Sequence, residues 1–80
     1  TEERRRDLVK IARKSGEECK ISIRKSRQEA RGMLDALKSE GEASEDDVKA
    51  GQKKIEEIVQ QSTGVVDDIV ALKEKDIMQV

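Results

Sequence analysis

No aromatic residue occurs in this 80-residue chain: Phe, Tyr and Trp are all absent. Any core must therefore be built from Leu, Ile, Val, Met and Ala. Single-strand nucleic-acid binding by base stacking on aromatic platforms is disfavoured for the same reason. Histidine is missing too, which removes Ser-His-Asp triads and His-bearing zinc sites. The single cysteine, Cys19, allows no internal disulfide and fits a reducing compartment. Proline is absent, so nothing of that kind interrupts a long helix. No apolar run reaches the length of a membrane span and no secretory signal is visible. These absences lead us to expect a soluble, intracellular protein with no membrane partner.

What is present is charge. Charged residues make up 44% of the chain and hydrophobic ones 34%, with a formal net charge of -1. That mean hides an asymmetry, for residues 1–40 hold 12 basic and 8 acidic side chains and residues 41–80 hold 5 and 10. A basic half joined to an acidic half suits contact with a polyanion, or attraction between the halves. Eighty residues allow one small domain. So polar a composition would fit disorder if its apolar residues were scattered. They are periodic instead.

Leu8, Ile11, Ala12, Ser15, Cys19, Ser22, Ser26, Ala30, Met33 and Leu37 recur in steps of three and four, a helical stripe. Its middle is small enough for close packing. Thr1 can cap its start, with Glu2 and Glu3 at the positive end of the helix dipole. We read one helix over about 2–39. Gly41 suits the left-handed position after its end. Ser44 and Asp47 have capping-box spacing, and Ala43 and Val48 sit at staple positions. A second series of apolar or small residues through Val48, Ile55, Ile58, Val59, Ser62, Val65, Val66, Ile69, Leu72 and Ile77 then gives a helix over about 45–78. The fold expected is all-α, a long antiparallel helical hairpin. Two helices cannot enclose both stripes, so a third helix or a second copy of the chain is expected to complete the core.

A cationic series runs beside the apolar one. Arg6, Lys10, Arg13, Lys20, Arg24, Arg27 and Arg31 follow the same spacing, broken only by Glu17. At about 100° per residue their mean direction lies roughly opposite the expected apolar face. A solvated helix face usually interleaves the two signs, as Lys53 to Glu57 does. Enzyme chemistry finds no purchase: the Glu45-Asp46-Asp47 and Asp67-Asp68 clusters are neighbours that diverge around a helix, and there is no calcium loop or Gly-rich phosphate loop. No cofactor or metal site is expected. A non-enzyme that binds RNA is the best reading. A-form RNA is recognised largely by shape, through phosphates and 2′-hydroxyls, and arginine's planar fork suits phosphate oxygens.

T-E-E-R-R-R-D-L at Thr1–Leu8, I-R-K-S-R at Ile23–Arg27, S-E-D-D at Ser44–Asp47 and K-E-K-D-I-M-Q-V at Lys73–Val80 resemble ribosome recycling factor, in that family's order and spacing. The resemblance implies the C-terminal helical part of a three-helix-bundle domain that lies along large-subunit rRNA. It also implies a partnership with elongation factor G in splitting post-termination ribosomes. Residues 1–80 would supply two of the three helices. The family's first helix and β-rich domain are not among these residues, and such a piece is expected to bind rRNA weakly and not to recycle ribosomes alone. Arg24 and Arg27 match the paired arginines of the family's V-R-N-x-R-R motif, with Arg27 at the arginine placed against rRNA. Lys25 stands where the family has Asn, and Gln28 where it usually has a second Arg.

The candidate RNA-binding residues are therefore Arg24, Arg27, Arg31, Lys20, Lys25, Arg13, Lys10 and Arg6. The resemblance implies a bacterial cytoplasm, or alternatively a mitochondrion or chloroplast. Self-association through the open apolar face is a further expectation. Two alternatives stay open: a generic helical-hairpin interaction module, and an RNA-binding coiled-coil arm like those of some tRNA synthetases.

Overall fold

The computed structural model describes residues 1–79, so Val80, the last residue of the C-terminal motif, lies outside the described residues. Two helices account for almost all of them, α1 (Glu2–Ser39) and α2 (Glu45–Met78). Their bounds match the periodicity in the sequence. Thr1 caps α1, its side-chain oxygen accepting from the Arg4 backbone N–H at 3.2 Å.

The turn that reverses the chain is held by its own backbone. Gly41 adopts φ 75°, a conformation that costs glycine nothing. The Gly41 N–H donates to the Lys38 carbonyl at 3.1 Å and the Glu42 N–H to the Leu37 carbonyl at 2.9 Å. These two bonds are a Schellman motif, which satisfies carbonyls that a helix end leaves orphaned. Three residues later Ser44 and Asp47 complete the capping box: the Asp47 N–H donates to Ser44 Oγ at 3.0 Å, and the Ser44 N–H to Asp47 Oδ2 at 3.1 Å. Val48, at the staple position, is the one buried hydrophobic side chain among the described residues, 5% exposed.

The two arms pack along a seam that differs from the expected stripe. On α1 it runs through Val9, Ala12, Gly16, Ile23 and Leu34, which are sheltered, whereas Leu8, Ile11, Ser15, Cys19, Ser22, Ser26 and Met33 are exposed. Gly16 sits so close to α2 that an added Cβ would lie 2.6 Å from Val70 Cγ2, and one at Gly51 would lie 2.8 Å from Leu34 Cδ1. Those two glycines let the backbones approach; they are contacts of the seam rather than weak points of the helices. At about 100° per residue the seam lies roughly a quarter-turn from the predicted stripe, between it and the cationic series.

The molecule is consequently a two-sided slat, 61 × 15 × 9 Å. One side carries the apolar residues left over from both helices: Ile11 is 62% exposed, Met33 68% and Leu72 64%. The other side carries ion pairs.

Candidate nucleic-acid interface

The polar side is built by the antiparallel register. Arg13 pairs with Glu74, and Lys20 donates to Asp67 Oδ1 at 2.9 Å. The step of seven residues from Arg13 to Lys20 along α1 is answered by the step of seven from Glu74 to Asp67 along α2, so these two cations each meet a carboxylate. Further along, Glu56 Oε1 lies 2.8 Å from Arg27 Nε and 3.8 Å from Arg31 Nη1. Arg6 lies 3.8 Å from Glu2 within α1.

Lys20 is the most enclosed of these cations, its side chain 18% exposed. It lies between two carboxylates, Asp67 and, at 3.0 Å, Glu17. The hydrogen bond to Asp67, followed by that to Glu17, raises its pKa above the ordinary lysine value of 10.5. Its charge is thus spent twice over inside the hairpin. The cationic spacing predicts Lys20 on the outer face with Arg24; it lies in the seam because α2 packs against the cationic edge rather than against the predicted stripe.

Arg27 is half-buried, and its stem borders the apolar groove beside Ile55 and Val59 while its head turns to Glu56. Its Nε has no solvent exposure and no hydrogen-bond acceptor in line with the N–H, although the Glu56 oxygen is within contact distance. That pair is held by charge rather than by a formed hydrogen bond. Lys10, Arg24 and Lys25 are exposed and have no ion-pair partner within 4.0 Å among the described residues. Of the eight candidates, those three keep their charge free for a partner outside the hairpin.

Sequence reasoning missed the acidic half of this arrangement. In the sequence Asp67 reads as one of two neighbouring carboxylates that diverge around a helix, and Glu56 as part of a mixed-charge stretch. The available signal was the matched heptad spacing of Arg13 and Lys20 against Glu74 and Asp67, read in opposite directions.

The opposite side is apolar and open. One stretch of its groove is lined by Cys19, Ser22, Ser26, Ala30, Ile58 and Ser62, and another by Ala12, Ser15, Val66 and Ile69. Cys19, a member of the expected apolar stripe, is exposed here. No helix among the described residues is long and apolar enough to cross a membrane, and no cluster among them could hold a metal ion.

A family model described as ribosome recycling factor matches residues 1–78. The chain belongs to the ribosome recycling factor family. A ribosome-recycling factor of Sorangium cellulosum is 46% identical across all 80 residues, which cover 43% of that protein. Those of Mycolicibacterium gilvum and Salinispora tropica are 46% and 40% identical over the same span. The chain therefore spans less than half the length of the recycling factors it matches. No solved structure matches it at a significant level.

Proposed function

We propose that this chain is the helical arm through which a bacterial, cytoplasmic recycling factor lies on large-subunit rRNA, acting with elongation factor G to split post-termination ribosomes. Its role is to bind and wedge rather than to catalyse. Residues 1–80 form two helices of a three-helix-bundle domain, and the open apolar groove receives the third. The observation that carries the reading is Arg24 with Lys25: both are exposed and have no ion-pair partner among the described residues, in the segment where the family motif concentrates its cations. An unpaired guanidinium offers phosphate a bidentate contact at no cost of first breaking an internal pair. Arg27 and Arg31, one and two turns further on, extend the contact along the same edge. Arg6, Lys10 and Arg13 lie towards the far end and add to the long-range field.

The test is co-sedimentation with isolated large ribosomal subunits over a salt series, comparing the chain with Arg24→Glu/Arg27→Glu. Binding by the parent is expected to fall steeply with salt, because phosphate contacts release counterions. The charge-reversed variant is expected to bind on the order of tenfold more weakly or worse. Equal binding by both, or binding by neither, would reduce the cationic edge to a solvated face. A preference for tRNA over large subunits would point instead to an arm of the tRNA-synthetase kind.

A further inference from the structure

The interhelical ion pairs are not equivalent. Arg13 and Glu74 make a neutral pair, and Lys20 faces the two carboxylates Glu17 and Asp67. At Glu56 the imbalance is the other way, with one carboxylate serving two guanidiniums, Arg27 at 2.8 Å and Arg31 at 3.8 Å. It serves them poorly, since the buried Arg27 Nε–H is not directed at an acceptor. One turn before Arg27, Arg24 stands exposed with no ion-pair partner among the described residues. The Arg24–Arg31 edge therefore keeps a positive surplus, and the carboxylate at its centre occupies the position that an incoming anion would take.

We propose that Glu56 is an affinity-setting residue, an internal competitor that holds Arg27 and Arg31 against the RNA phosphate they would otherwise bind. This rests on the RNA-binding reading above. The carboxylate oxygen mimics a phosphate oxygen, and a phosphate must displace it to reach Arg27. Glu56 is half-exposed, with 49% of its side chain accessible, so it can swing into solvent without breaking the seam. The competition weakens binding and leaves the hairpin intact. Lys20 differs, because releasing it would strand Asp67 and Glu17 together.

The same large-subunit assay tests this with four proteins: the chain, Glu56→Gln, Arg27→Ala/Arg31→Ala, and the combination of all three changes. Glu57→Gln, which removes the same charge one residue away from a carboxylate facing Lys54, is the control for overall field. Glu56→Gln is expected to bind about twofold to fivefold more tightly, the range that exposed ion pairs give in double-mutant cycles. The gain is expected to vanish when Arg27 and Arg31 are already alanine, and to be absent in Glu57→Gln. Circular dichroism with unchanged helicity shows that each hairpin is intact. Unchanged or weaker binding by Glu56→Gln overturns the proposal, as does an equal gain in Glu57→Gln or a gain that survives loss of both arginines. If Arg24→Glu/Arg27→Glu binds as well as the parent, the RNA-binding reading itself fails. If that variant loses binding while Glu56→Gln gains nothing, only the competitor role fails.

Discussion

Ser44 and Asp47 exchange hydrogen bonds at the start of α2, and each side chain satisfies a backbone donor that would otherwise be orphaned. Replacing Ser44 by Ala is expected to cost about 0.5–2 kcal/mol, the usual loss for a capping residue. It should appear as lower helicity at a given urea concentration. The hydrogen bond from the Ser44 backbone, then that involving its side chain, holds Asp47 below the ordinary carboxylate value of 3.8. A depressed carboxylate stabilises above its unfolded-state pKa, and its contribution is lost as pH falls through the lower folded-state value. Lys20 has the opposite sign: its contribution is complete below 10.5 and disappears as pH rises through its elevated folded-state value. Helicity measured against pH is expected to lose part of its acid limb in Asp47→Asn and to keep its alkaline limb. An unchanged acid limb would show that the cap is not felt in solution.

The two helices were legible in the sequence almost to the residue, because Thr1, Gly41 and the Ser44–Asp47 box mark their ends locally. The seam was not. Periodicity identified Leu8, Ile11, Ser15, Cys19 and Met33 as one apolar face, but α1 has two sheltering faces side by side, and a neighbouring helix can take only one. The pairing helix chose Val9, Gly16, Ile23 and Leu34, a face that also contains Lys20 and Arg27. Cations read as solvent-facing can enter a seam when their stems are apolar and carboxylates wait opposite. The glycines separate along the same line. Gly64 has open space around it, so Gly64→Ala is expected to stabilise the helix by about 0.5–1 kcal/mol. Gly16→Ala is expected to give no such gain and to destabilise by up to about 2 kcal/mol, since the new methyl meets Val70 and overpacking costs about 1–3 kcal/mol. Chemical denaturation of both variants checks the contrast. A stabilising Gly16→Ala would mean that the arms are not in close contact at that point.

At the scale of the whole molecule, the hairpin is a slat with a charged side and an apolar side. Its radius of gyration is 18.2 Å, against about 12 Å for a compact domain of this length. Large hydrophobics, Ile11, Met33, Ile69 and Leu72 among them, stay exposed, and clustered exposure of this kind marks interaction sites. The proposed reading uses that surface as the seat of the bundle's third helix. On the proposed reading, the apolar side is engaged by a helix and the charged side is left for RNA. Only part of it is available: Lys20 is paired within the hairpin, whereas Arg24 has no ion-pair partner among the described residues.

The most direct test of that division is the salt dependence of binding to isolated large ribosomal subunits for the chain, Arg24→Gln and Lys20→Gln, each checked for helicity. Removing one phosphate contact lowers the steepness of the log–log plot by about 0.7–0.9. We predict that decrease for Arg24→Gln and an unchanged slope for Lys20→Gln. An unchanged slope for Arg24→Gln, or an equal decrease for Lys20→Gln, would contradict an RNA contact carried by the Arg24–Arg31 edge.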